Sequence, residues 1–198
     1  MKIGVLSVQG DFAEHIAVLN TLGVQTKELR QKADLAEKPD GIVLPGGEST
    51  AMGKIMRDTD MLKILKGYIA DGVPVFATCA GMILLAKKIV NDDTVHFGCM
   101  DITVRRNAYG RQLGSFSTEA EFKGIGRIPA VFIRAPYIEE CGGKAEALCS
   151  VDGKIVAARQ NNMLAMAFHP ELCEDTSVYR YFLNMTEQYI KTKQRRGA

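Results

Sequence analysis

No run of about 18 apolar residues occurs anywhere in the 198 residues, so nothing in the sequence reads as a membrane span. The opening run, Met1 to Leu6, is far shorter than the apolar region of a secretory signal, and Gln9, Gly10 and Asp11 follow it at once. An excess of charge of either sign is also missing. Against 25 Lys and Arg stand 23 Asp and Glu, a net +2, which supplies no field for gathering nucleic acid or an anionic lipid surface. Neither partner is expected. The five cysteines are an odd number without a C-x-x-C pair, which fits neither a disulfide framework nor a zinc site and points to the reducing cytoplasm. The glycine turn at Pro45 lacks the Gly-Lys-Ser/Thr ending of a phosphate loop, so nucleotide binding is a poor reading. No internal repeat or low-complexity linker breaks the chain, and residues 1–198 read as one domain that needs no metal as a staple. At 46% hydrophobic residues the composition is that of an ordinary globular chain, which buries about 70% of its unfolded surface at this length.

What is present is an alternation of periods. Lys2 to Val8 is a continuous apolar run suited to a strand buried on both faces. A helix is expected next, capped by Asp11 with Glu14 three residues on, carrying Phe12, Ile16 and Leu19 as its stripe and closed by Gly23. Further strands are expected at Val24 to Leu29, Asp40 to Leu44 and Val73 to Ala77, with helical spacing at Met61 to Ala70 and Met82 to Lys88. Beyond Val95 the texture changes to short runs: Ile102 to Val104, Ala130 to Arg134, Lys144 to Val151, Lys154 to Ala158 and Met163 to Phe168. A last amphipathic helix is predicted over Ser177 to Ile190, and the basic tail 191–198 is expected to fray. The order predicts an α/β fold of three layers: a mostly parallel central sheet with helices on both faces, and a smaller mixed or antiparallel part in the second half. In such folds ligands bind beyond the carboxyl ends of the strands.

Three features fall at such ends. In Val75-Phe76-Ala77-Thr78-Cys79-Ala80-Gly81-Met82 a strand passes through small residues directly into a helix, the form of a nucleophile elbow. Cys79 would meet the positive end of the helix dipole, which favours thiolate, and the Ala80 N–H would face an oxyanion formed beside the sulfur. A small buried hydrophobe is the plain alternative for Cys79, and Cys99, Cys141, Cys149 and Cys173 read as structural filler or plain surface thiols. The second feature is His169-Pro170-Glu171, read as continuing a strand in extended form, so that Glu171 holds one imidazole nitrogen while the other faces Cys79. His15 reads as a surface or interface residue of the first helix, and His96 as a loop residue with no evident partner. The third is Leu44-Pro45-Gly46-Gly47-Glu48-Ser49-Thr50, whose Gly47 N–H could be a second oxyanion donor. It is equally a helix-capping loop, with Ser49 or Thr50 as the cap.

Taken together these features resemble class I, triad-type glutamine amidotransferases, with a flavodoxin-like fold. More specifically they resemble the glutaminase subunits of pyridoxal 5′-phosphate synthases. The blocks that carry the resemblance are Val8-Gln9-Gly10, Pro45 to Thr50, Thr78 to Gly81, Arg106-Asn107-x-Tyr109-Gly110-Arg111-Gln112, Phe132 to Pro136 and Phe168 to Glu171, in family order along essentially the whole chain. One departure is Ala77, where glycine is usual. The resemblance implies that Cys79 is the nucleophile, that His169 and Glu171 complete the triad, and that Gly47, Glu48, Ser49, Arg106, Ile133 and Arg134 contact L-glutamine. It also implies a partner, a (β/α)8-barrel synthase subunit that consumes the ammonia, and no cofactor on this chain. Chemistry agrees in part: an α-carboxylate suits the Arg106 or Arg134 fork, and an α-ammonium suits Glu48. Arg105 and Arg111 read as surface or partner residues. Partner docking is expected to switch the Gly47 peptide. Two other readings stay open: a stand-alone cysteine hydrolase of γ-glutamyl compounds, and a non-catalytic thiol sensor.

Overall fold

A computed structural model describes residues 1–106 and 115–197. In chain order it contains β1 (Lys2–Leu6), α1 (Phe12–Thr21), β2 (Gln25–Leu29), β3 (Gly41–Leu44), α2 (Ser49–Asp58), α3 (Met61–Ala70), β4 (Val75–Thr78) and α4 (Ala80–Leu85). There follow β5 (Ala86–Ile89), β6 (Met100–Arg105), β7 (Ser115–Phe122), β8 (Gly126–Ile133), β9 (Tyr137–Cys141), β10 (Glu146–Val151), β11 (Lys154–Gln160), β12 (Met163–Met166) and α5 (Ser177–Gly197). Short 3₁₀ turns occupy Lys32–Leu35 and Pro170–Leu172.

The strands form one sheet in the order β2-β1-β3-β4-β12-β11-β10-β7-β8. From β2 to β12 neighbours run parallel; from β12 to β8 they run antiparallel. A side branch joins β11 through β9 and β6 to β5. The parallel first half and mixed second half follow the expected pattern. Every residue of β3, β4 and β12 is buried, so both faces of the central strands are covered, which is why those segments are apolar without alternation. On one face α5 sets Phe182 and Tyr179 against Phe76 of β4, at ring separations of 5.2 and 4.9 Å. Among the described residues no helix is long and apolar enough to cross a membrane.

Several local expectations are corrected. Asp11 stands at the N-cap of α1 but its side chain makes no cap hydrogen bond; it lies instead 3.6 Å from the His169 ring. The helical spacing read over Met82 to Lys88 ends at Leu85, because Ala86 to Ile89 pair in parallel with β6, a partnership that no local pattern carries. His169-Pro170-Glu171 is not extended throughout: proline keeps His169 out of the helical region but itself opens the 3₁₀ turn, and Glu171 lies within that turn. Strands β7 and β9 lie outside the runs picked out above. The last helix does not stop at Ile190 but continues to Gly197, with residues 191–195 exposed. Asn107, Tyr109, Gly110, Arg111 and Gln112 lie outside the described residues.

Candidate active site

Cys79 joins β4 to α4 with φ 46° and ψ −103°, a left-handed conformation that a side-chain-bearing residue adopts only when its surroundings impose it. Two neighbours impose it here. The Cys79 N–H donates to the Met166 carbonyl at 2.8 Å, tying the elbow to the end of β12, and the Gly81 N–H donates to Pro45 at 3.1 Å. A Cβ at Gly81 would lie 2.0 Å from the Leu44 carbonyl oxygen, so only glycine lets α4 start against the end of β3.

Three residues beyond β12 the chain delivers His169, whose N–H donates to the Val131 carbonyl of β8 at 2.8 Å. Its Nδ1 lies 2.6 Å from Oε1 of Glu171, with both side chains buried. Nε2 is buried and meets hydrogen-bond geometry with no described residue. Burial alone would lower the proton affinity of His169, but the interactions with Cys79 and Glu171 outweigh it and raise the pKa to about 10. Burial likewise works to raise the Glu171 carboxyl, yet the His169 hydrogen bond and the nearby His15 bring it below its ordinary value. The pair therefore favours imidazolium beside carboxylate.

The glycine turn lies against the same histidine. A Cβ on Gly46 would come within 2.7 Å of both Asp11 Oδ2 and His169 Cε1, and one on Gly47 (φ 148°) within 2.5 Å of Gln9 Oε1. Gln9 Oε1 accepts the Glu48 N–H at 2.7 Å, and the Gly46 carbonyl accepts the Asp11 N–H at 3.2 Å. The cap of α2 is Glu48, not Ser49 or Thr50: its carboxylate accepts from the Thr50 and Ala51 N–H groups at 2.9 and 2.7 Å. Partial burial opposes ionisation of Glu48, but these two donors prevail and hold its pKa down.

A cleft of about 470 Å³ collects these parts. Cys79, His169, Gly47, Glu48, Ser49, Arg106, Ile133 and Arg134 all line it, together with Gln9, Asp11, Ile83 and Pro136. Of the residues singled out in the sequence, Glu171 stands behind His169, away from the lining, and Ala80 begins α4 at the elbow. Arg106 is held by Asp92 and by the Ser49 hydroxyl, each at 3.1 Å, while its Nε is buried without a partner among the described residues. Arg134 turns the chain at φ 43° beside exposed Ile133. Asp11, His169 and Glu171 also bring ligand atoms within 4.8 Å of one another, but the close His169–Glu171 hydrogen bond explains that grouping without a metal.

Histidine 15 is the clearest correction. It is not at the surface but wholly buried, 2.7 Å from the Tyr179 hydroxyl, 3.1 Å from Thr78 Oγ1 and 3.5 Å from Glu171 Oε2. The available signal was its spacing four residues before Leu19, the other buried residue of α1. Gln9 and Asp11 were also missed as cleft residues, since neither shows a partner in sequence. His96 is in a loop, as read, but is buried, with Nδ1 3.5 Å from the Arg57 guanidinium.

A cysteine on a strand-to-helix elbow shares one cleft with a carboxylate-held histidine at the end of a largely parallel sheet, the residue types on which thiol-dependent acyl transfer draws. The chain belongs to the SNO glutamine amidotransferase family, whose model matches residues 5–188. It is 53% identical over 191 residues, 95% of this chain and 99% of the relative, to the pyridoxal 5′-phosphate synthase subunit PdxT of Streptococcus pneumoniae strain 70585. The same protein of strain CGSP14 matches at 53% identity, over 95% of this chain and 98% of the relative. Among solved structures, one described as a glutamine amidotransferase superposes with a TM-score of 0.89 at 41% identity, covering 93% of this chain and 98% of the other. A glutamine amidotransferase from Thermotoga maritima, 14% identical with a TM-score of 0.63 over 98% of this chain and 85% of its own, shares the fold.

Proposed function

We propose that Cys79, His169 and Glu171 are the catalytic triad of a glutaminase that hydrolyses L-glutamine and passes the ammonia to a (β/α)8-barrel synthase subunit making pyridoxal 5′-phosphate. Residues 1–198 act as one glutaminase unit. The observation that carries this reading is the convergence of Cys79 and His169 in one cleft, with the far side of the imidazole held by buried Glu171 at 2.6 Å. Family membership makes the substrate amide that of glutamine. The strong match over nearly the full length to proteins named as synthase subunits favours delivery to a partner over a stand-alone hydrolase or a thiol sensor.

The thiolate of Cys79 attacks the side-chain amide carbon, and the oxyanion is held by the N–H groups of Ala80 and Gly47. His169, protonated in the resting pair, gives its proton to the departing ammonia. Water activated by the same ring then hydrolyses the γ-glutamyl thioester and releases glutamate. Glu48, kept ionised by its two helix N–H donors, retains lone pairs for the α-ammonium, and Arg106 or Arg134 takes the α-carboxylate. Ser49 orients Arg106, and Ile133 covers the aliphatic stem of the substrate. The five free cysteines suit a reducing compartment, the cytoplasm.

Ammonia release from L-glutamine tests the reading, assayed for wild type and Cys79→Ala, each alone and with the synthase subunit. Wild type with the synthase should release ammonia, and Cys79→Ala should release none. Release by Cys79→Ala at the wild-type rate would refute it. Because losing one oxyanion donor costs about 10² to 10³ in rate, a Gly47 peptide set by docking should make the isolated chain slower by a similar factor. Equal rates with and without the synthase would reject that gating.

A further inference from the structure

Behind the triad lies a second histidine for which the reaction has no use. His15 of α1 is wholly buried, and four elements meet at its ring. Tyr179 of α5 lies at Nδ1; Thr78, the residue before the nucleophile, and Glu171 lie at Nε2. A buried imidazole is a costly way to fill a core unless both nitrogens are engaged, and here both are.

The hydrogens can be assigned from the neighbours. Burial, first, and the nearby Glu171 raise the Tyr179 hydroxyl above its ordinary value, so it stays protonated and donates. Nδ1 of His15 must then accept. Burial also lowers the proton affinity of His15 by more than Glu171, Asp11 and Glu14 raise it, and His169 lowers it further. The ring is therefore neutral, with its single proton on Nε2, facing Thr78 Oγ1 at 3.1 Å and Glu171 Oε2 at 3.5 Å. That carboxylate oxygen is buried and has no hydrogen-bond partner among the described residues, while its twin holds His169 at 2.6 Å.

We propose that Tyr179 and His15 form a positioning pair: the phenol fixes the imidazole tautomer, and the proton-bearing edge of the ring, hydrogen-bonded to Thr78, lies 3.5 Å from the outer oxygen of Glu171 and favours the carboxylate there, so that the inner oxygen stays aligned on His169. The inference rests on the glutaminase reading, and neither residue touches substrate. A neutral donor suits the task, because a cation at His15 would draw on the same carboxylate charge that holds the His169 imidazolium. The titratable groups acting on this ring are Asp11 and Glu14 at the start of α1, Glu171 and His169 after β12, and Tyr179 on α5. The ring of Phe76, edge-on to His15 at 6.0 Å, shapes the remaining wall.

Tyr179→Phe keeps the ring and removes only the donor. In the full chain with the synthase it should lower kcat about tenfold and leave KM within about twofold, since alignment is lost and binding is not. In the full chain alone, the pH midpoint of Cys79 alkylation by iodoacetamide should move upward by about half a unit or more, because a loosened Glu171 supports the imidazolium less well. His15→Leu should show the same signature, larger, and His15→Gln, which keeps an amide N–H, should recover part of it. Wild-type kcat and an unmoved alkylation midpoint in Tyr179→Phe would overturn the proposal and leave His15 as packing. Should His15→Leu fail to fold, Tyr179→Phe alone decides. If wild type with the synthase released no ammonia the glutaminase reading would fail separately, while the alkylation profile would still test the pair.

Discussion

At His169 the neighbouring Cys79 and Glu171 favour the protonated ring. Its pKa, raised to about 10 by Cys79 and Glu171 against the pull of burial, lies well above the ordinary 6.5. A group whose folded pKa exceeds its unfolded one stabilises the native state fully below the unfolded value, and that stabilisation fades as pH rises through the folded value. The sign is opposite for Glu171, whose lowered pKa stabilises the fold above its ordinary value of 4.5 and ceases to do so in acid. Urea unfolding of wild type and His169→Gln should therefore show a wild-type advantage that is greatest between about pH 4.5 and 6.5 and shrinks between about pH 6.5 and 10. A gap that widened toward pH 10 would mean that the imidazole is neutral in the resting enzyme. Conformation matters at this scale as well: the φ of 46° at Cys79 is a departure held in place by its N–H bond to Met166.

Among elements, the junction of β4 with α4 is the piece on which the site depends. The helix begins one residue after Cys79, and its second residue, Gly81, touches the end of β3 where any side chain would collide with the Leu44 carbonyl at 2.0 Å. Gly81→Ala should cost about 1–3 kcal/mol in urea unfolding and displace the elbow, with loss of ammonia release. Gly67→Ala is the control. A Cβ there meets nothing within 4 Å, and because the residue lies within α3 the change should stabilise by about 0.5–1 kcal/mol. Equal effects at the two sites would show that helix propensity, not the close approach, governs the elbow. The glycine turn before α2 follows similar logic, since Gly46 leaves room for Asp11 and His169 where a methyl would fill it.

For the whole molecule, the parallel half of the sheet sets the strand ends side by side, and α5, last in the chain, closes the structure over the first elements. Phe182 is fully buried against Phe76, and Tyr179, one turn earlier, reaches His15. Phe182→Ala should lower stability by about 3–5 kcal/mol in urea unfolding, and through Tyr179 it should also impair the triad. A loss below about 1 kcal/mol would show that α5 contributes little to the core.

Much was legible in the sequence because it is local. The apolar runs of β1, β3, β4 and β12 announce buried strands, the small residues at Ala77, Ala80 and Gly81 announce an elbow, and a histidine two residues before a glutamate announces an imidazole held by a carboxylate. Each pattern is set by the backbone within a few residues, so one dimension suffices. The site's outer shell was not legible. Asp11 has the form of a helix cap and sits beside His169; Ala86 to Ile89 continue a helical pattern and pair with β6; His15 has the form of a surface residue and lies beneath Glu171. In each case the partner lies outside the local pattern: about 15 residues away for Ala86 to Ile89, 158 for Asp11 and His169 and 164 for His15 and Tyr179. Hydrogen bonding and burial over such separations are decided by which strands lie side by side, and only the folded chain expresses that.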